Sequence, residues 1–166
     1  MSEIGDKIQE KCLAFGDRVI KLNDYLLEQA SQKYDGGSKR YDVRKGKSSF
    51  SHQTSNLSQP SSFRHQTSRV PVHLQSVAAL ANQLLRSGTS IGANNAEACN
   101  AISRQDFRSK SYIALKEARE SLYWIELLHR NSYLTDEQFS SIYADAEELV
   151  KILVARCKKL DAELNK

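Results

Sequence analysis

The sequence predicts an all-α protein, an antiparallel up-down-up-down bundle of four helices. Three observations carry the prediction. Apolar residues recur at spacings of three and four through most of the 166-residue chain. The only two prolines, Pro60 and Pro71, fall in one stretch, and the remainder is rich in good helix formers. Short polar connections separate three of the four periodic segments, which makes their helices antiparallel neighbours.

The first helix is expected over about residues 4–30, where Ile8, Cys12, Phe15, Val19, Leu22 and Leu26 make a single seam. The pattern then stops at Asp35-Gly36-Gly37-Ser38, a strong turn signal. Residues 31–71 read as a basic, Ser/Gln-rich insertion within one four-helix domain spanning residues 1–166. SSFSHQTS at residues 48–55 matches SSFRHQTS at residues 61–68 in seven of eight positions. A 13-residue offset fits no common solenoid unit, and little apolar surface is available to offset the entropy of ordering so long a loop. Disorder of this stretch is the expectation.

The second helix is expected from Val72 to Cys99, with Leu74, Val77, Ala81, Leu84, Leu85, Gly88, Ile91 and Gly92 inward. Its segment QLLRSGTSIGANNAEA is unusual. Gly88, Gly92 and Ala96 recur every four residues and put minimal side chains on one face. Each interior glycine costs about 1 kcal/mol relative to alanine. A chain keeps them where a backbone must be approached closely, and the following segment ALKEARESLYWIELL makes a neighbouring helix the expected visitor. The third helix starts at Ser103, where Ser103 and Asp106 form an S-x-x-D start signal, and ends near Arg130 with Asn131 as its cap. The fourth starts at Thr135, where Thr135 and Gln138 form T-x-x-Q, and turns Phe139, Ile142, Ala146, Leu149, Leu153 and Leu160 inward.

Chemistry-bearing motifs are scarce. Glu126 and His129 give one Glu-x-x-His pair, whereas a di-iron bundle needs two such pairs plus two further glutamates. The pair reads as surface residues, and no metal or cofactor is expected. GTSIG lacks the spacing of a nucleophile elbow, and neither phosphate-loop nor dinucleotide motifs occur. Glu117 and Glu120, with Lys116 nearby, read as a solvated, ion-paired face. No enzymatic activity is predicted. Cys12, Cys99 and Cys157 are an odd number without CxxC spacing, which fits reduced thiols in the cytoplasm. No apolar run approaches membrane-spanning length, and the first residues do not read as a signal peptide.

Two features point to binding. The net charge of +4 is uneven: residues 31–75 hold eight basic residues (Lys33, Lys39, Arg40, Arg44, Lys45, Lys47, Arg64, Arg69) against two acids, while the rest of the chain is −2. A second basic group is expected around the third helix, from Arg104, Arg108 and Lys110 with Arg86, Lys116 and Arg119. Repeated around a ring, it would make a positive field for phosphates, of RNA or DNA. A solvated face is the plainer account of the same charges. The third helix also carries apolar residues off its inward stripe: Tyr112, Ile113, Tyr123, Trp124 and Leu127. A helix apolar nearly all round is buried on more than one side, so Tyr112, Tyr123, Trp124 and Leu127 are candidates for a homo-oligomer interface.

RSGTSIGAN at residues 86–94, ALKEAR at residues 114–119, the opening Phe15, Arg18, Val19, Ile20, Leu22 and the tail Ala146, Glu147, Glu148, Leu149, Lys151, Ile152, Leu153 together resemble a bacterial four-helix bundle family. That family is associated with intervening sequences in large-subunit rRNA genes. It includes relatives of the accessory variability determinant of diversity-generating retroelements. The resemblance covers roughly residues 4–30 and 74–160. It implies a homopentameric ring that binds nucleic acid without catalysis and, in the retroelement case, a reverse transcriptase as partner. It also implies a short turn between the first two helices, from which residues 31–71 depart. A protein-interaction scaffold without nucleic acid is the alternative, favoured by the −2 charge outside that segment.

Overall fold

The structure, a computed structural model, describes residues 3–35 and 72–165, with side chains described for residues 7–32 and 75–165. Four helices follow one another: α1 (Glu3–Asp35), α2 (Val72–Cys99), α3 (Arg104–Arg130) and α4 (Asp136–Leu164). Each packs against its neighbours in sequence, and α4 returns to α1 in the loosest of the four contacts. The backbones of the diagonal pairs stay apart among the described residues, though side chains of α2 and α4 meet across the core, so the arrangement is a four-cornered up-down-up-down bundle. Its two ends are distinct. The α2–α3 connection lies beside the start of α1 and the end of α4. The ends joined by residues 36–71 lie beside the α3–α4 connection.

Capping chemistry sets the boundaries of the last two helices. Ser103 is the N-cap of α3, its Oγ accepting from the Asp106 N–H at 3.1 Å, while Asp106 accepts from the Ile102 N–H at 3.2 Å. Thr135 and Gln138 form a reciprocal capping box at α4, with distances of 3.2 and 3.0 Å. Asn131 closes α3, and Ser132 takes a positive φ of 59° that turns the chain into α4. The sequence reading of α1 stops too early. It ends the helix near Ala30, but the helix continues to Asp35, the residue before Gly36-Gly37. A helix needs no apolar face to continue, only residues that tolerate it. Ser31 donates to Leu27 O at 2.9 Å and Gln32 to Glu28 at 3.2 Å along this extra turn.

The core holds most of the seams expected for three helices, Ile8, Cys12, Phe15, Val19 and Leu26 of α1, Val77, Ala81, Leu84 and Ile91 of α2, and Ile142, Ala146, Leu149, Leu153 and Leu160 of α4, with Leu22, Leu85 and Phe139 only partly buried against it; Ala114, Leu115, Ala118 and Ile125 of α3 complete it. The glycine face needs a correction. Gly88 and Gly92 receive α1, not α3. A Cβ built at Gly88 would meet Val19 and Phe15, and one at Gly92 would meet Cys12. Ala96 is only half-buried. A four-residue step turns 400°, so a stripe at this spacing drifts about 40° per step and leaves the contact. Helix α3 meets α2 through buried hydroxyls instead, with Ser121 Oγ donating to Ser87 Oγ at 3.0 Å.

Candidate functional site

The cations predicted to bind phosphates are not one cluster. Ser87 stands beside Ser121, so Arg86 lies at the level of the middle of α3. Arg104 is 17 residues before Ser121, about 25 Å away along the axis at 1.5 Å per residue. Around the start of α3 the cations point two ways. Lys110 reaches across to Glu97 of α2. Arg104 and Arg108 face α4, with Arg104 3.5 Å from Glu163 and Arg108 Nε donating to Asp161 Oδ1 at 2.6 Å. Lys116 pairs with Glu117 at 3.5 Å. Arg86 and Arg119 are exposed and form no ion pair among the described residues.

Asp161 organises the α3–α4 edge. Its Oδ2 accepts from the Tyr112 hydroxyl at 2.5 Å, and the Arg108 guanidinium lies 5.0 Å from the Tyr112 ring centre. The hydrogen bond from Tyr112, then that from Arg108, holds the Asp161 carboxyl below its ordinary pKa. The same contacts raise Arg108 and Tyr112, and Glu97 raises Lys110. Arg104, Arg108 and Lys110 are thus matched one for one by Glu163, Asp161 and Glu97 of their own chain.

The other nucleic-acid candidates, Lys39, Arg40, Arg44, Lys45, Lys47, Arg64 and Arg69, lie outside the described residues, as do the repeat and the expected disorder. The helix ends that flank them, at Asp35 and Val72, are at the end of the bundle opposite Arg104 and Arg108.

The self-association candidates divide. Tyr123 is 57% exposed. Trp124 is half-buried, packs on the core, and points its indole N–H at Glu120 from 3.4 Å. Leu127 is half-buried, and Tyr112 is tied to Asp161. Helix α1 adds a row that the sequence reading passed over. Leu13 is 61% and Ile20 45% exposed, and Gly16 between them has open space where a side chain would stand. The signal was present as a second three-four seam, Leu13–Gly16–Ile20, hidden behind the stronger inward one.

Glu126 and His129 do not converge on a metal position. Glu126 pairs with Arg130 at 3.6 Å, while His129 pairs with Asp136 at 2.8 Å and stacks on Phe139 at 4.1 Å. No group of three or more His, Cys, Asp or Glu side chains is placed to hold a metal among the described residues. The described cysteines are free, and burial pushes the Cys12 thiol up to about 11. No helix among the described residues is long and apolar enough to cross a membrane.

The profile of the 23S rRNA-intervening sequence protein family matches residues 64–155, which span α2, α3 and most of α4. The chain belongs to this family. Its structure is similar to the crystal structure of a protein with unknown function from the S23 ribosomal protein family of Bacteroides thetaiotaomicron. The two are 34% identical, with a TM-score of 0.62, over 93% of this chain and 98% of that one. No curated protein matches. The matched region holds the α2–α3 pair and most of the α3–α4 pair, with the N-caps Ser103 and Thr135 and the buried serines Ser87, Ser111 and Ser121.

Proposed function

We propose that this protein is a non-catalytic RNA-binding accessory protein that works as a homo-oligomeric ring and associates with large-subunit rRNA carrying an intervening sequence. The family supports the RNA class. The observation that carries the reading is the distribution of charge. The cations at the start of α3 are paired with acids of the same chain. The residues between 31 and 75 bring eight basic side chains against two acids. Phosphates would therefore meet that segment first, with Arg86 and Arg119 as further contacts on the bundle. The exposed row on α1 and Tyr123 on α3 supply apolar surface for contacts between copies.

Fluorescence anisotropy with a labelled hairpin RNA tests the reading across a salt series. Affinity should fall with a log–log slope of about −0.7 per phosphate neutralised on single strands or −0.9 on duplex. Replacing residues 36–71 by a short Gly/Ser turn is expected to abolish binding and keep the helical content. Arg104→Glu with Arg108→Glu is expected to leave affinity nearly unchanged. Full affinity without residues 36–71 would move the contact to the bundle itself. A second reading, a protein-interaction scaffold, rests on the same exposed apolar rows. It takes over if the intact protein binds neither RNA nor DNA at low salt. A retroelement role would instead appear as binding to a reverse transcriptase.

A further inference from the structure

The end of the bundle that carries the α2–α3 connection holds a pocket of about 850 Å³, open to solvent. This lies within the size range of small-molecule sites. Ile8 of α1, Phe107 of α3, and Ile152 and Leu160 of α4 make apolar walls. One desolvated charge stands among them. Arg156 donates from Nη1 to Asn95 Oδ1 at 2.6 Å, and its guanidinium carbon lies 5.5 Å from the centre of the Phe107 ring. Asn95 is completely buried, and its Nδ2 donates in turn to Gln9 Oε1 at 2.5 Å. A buried polar chain from α1 through α2 thus fixes the guanidinium from behind, while an aromatic face supports it from the side.

Arg156 differs from the other arginines around it. Arg18, Arg104 and Arg108 each face a carboxylate of the same chain. Arg156 makes no such pair among the described residues. Burial pulls its pKa below the ordinary arginine value, and only the thiols of Cys99, Cys12 and Cys157 push it back. A guanidinium offers five N–H donors, of which Asn95 takes one. No described buried polar side-chain atom lacks a partner, so the remaining donors of Arg156 are not sealed in the core, and Arg156 is among the residues that line the pocket. Water alone could hydrate them. A rigidly held, uncompensated guanidinium over apolar walls also matches an anion with an apolar body.

We propose that this pocket binds a small amphipathic carboxylate, its two oxygens on the free edge of Arg156 and its apolar body against Phe107, Ile152 and Leu160. A planar, singly charged head fits the single desolvated fork. Lys159, also on the lining, is exposed to solvent, and Arg104 is already paired with Glu163. The site does not rest on the RNA reading, and it lies at the end of the bundle opposite the helix ends at Asp35 and Val72.

Isothermal titration calorimetry of the full-length protein with sodium octanoate tests the proposal, with 1-octanol as the tail alone and sodium acetate as the head alone. Octanoate is expected to fill one saturable site per chain, octanol to bind at least about tenfold more weakly and acetate not at all, since charge-assisted hydrogen bonds carry the difference. Arg156→Gln keeps an amide for Asn95 and should weaken octanoate by about tenfold or more while leaving octanol unchanged. Ala155→Trp alters an exposed wall residue of α4 and should block both probes without entering the core. It serves where Arg156→Gln disturbs folding. Equal binding of octanoate and octanol, no saturable octanoate isotherm, uptake of many molecules per chain, or an unaltered octanoate isotherm in either variant would overturn the proposal.

Discussion

A single methyl group on Gly88 tests the α1–α2 contact against the simplest expectation about helical glycines. Two effects oppose each other. Replacing an interior glycine by alanine gains about 1 kcal/mol of helix propensity. The added Cβ, however, would stand 3.0 Å from Val19 Cγ2, 3.2 Å from Val19 Cγ1 and 3.4 Å from Phe15 Cε1. Val19 is completely buried and β-branched, with one strongly preferred rotamer in a helix, so it cannot swing aside. Overpacking of this kind costs about 1–3 kcal/mol. Gly88→Ala should therefore lower stability by up to about 2 kcal/mol. The same substitution at Gly92 places a Cβ 3.4 Å from Cys12 Cβ, an ordinary contact. At Gly16 nothing lies within 4 Å. Both should gain up to about 1 kcal/mol.

A double-mutant cycle isolates the contact. Val19→Ala alone removes two buried methyls and should cost about 2 kcal/mol. In that background the Cβ of Gly88→Ala enters the vacated space, so the second substitution should turn stabilising. The expected coupling is about 1–3 kcal/mol. Urea unfolding followed by far-UV circular dichroism measures it, at one protein concentration because self-association would shift the midpoint. Additivity of the two substitutions within about 0.5 kcal/mol would falsify the packing argument. So would a Gly88→Ala protein that gains as much as Gly92→Ala.

Further outcomes follow from the surface. Light scattering should give an oligomeric mass at micromolar concentration; Tyr123→Glu and Leu13→Glu should lower that mass with helicity intact, and a monomeric parent protein refutes the interface. Tyr123 is the cleaner probe, because Trp124 also packs on its own core. RNA affinity should drop steeply with salt and vanish with residues 36–71, and retention of the full slope after the deletion counts against the charge argument. The Asp161 carboxyl is held below its ordinary pKa, so its contribution to stability is complete above the ordinary carboxylate range. It fades as pH falls through the lowered value. Thermal unfolding across pH should show Asp161→Asn less stable than the parent at neutrality, with the gap closing in acid; a gap independent of pH sinks this reading.

The helices were legible because their signals are local. Ser103, Asn131, Thr135 and Gln138 act within four residues of the ends they set, and the inward seams are periodic. Direction across the bundle was less legible. The glycine face of α2 could have met α1 or α3, and only packing sends it to Val19 and Cys12. The ion pairs were illegible for the same reason. Lys110 finds Glu97 13 positions away, and Arg108 finds Asp161 at a separation of 53. Arg156 and Asn95 were passed over because neither breaks its helical pattern, and their significance lies in a contact 61 residues apart in sequence.

Those distant pairs change what a basic residue can do for a nucleic acid. An exposed ion pair is worth only about 0–1 kcal/mol, so Arg104 or Arg108 could exchange its carboxylate for a phosphate at little cost. The exchange leaves Asp161 and Glu163 in place, however, and their charge would then repel the strand. A field that steers an anion from a distance depends on net charge, and the charges of Arg104, Arg108 and Lys110 are matched one for one by Glu163, Asp161 and Glu97, which leaves Arg156 and Lys159 as unpaired cations nearby among the described residues. Repeating those three matched pairs around a ring adds no field. The +6 segment between residues 31 and 75 has no such cancellation within its own sequence. Its repetition in an oligomer would multiply that positive charge. That asymmetry makes the deletion, and not the Arg104 and Arg108 substitutions, the decisive experiment on RNA.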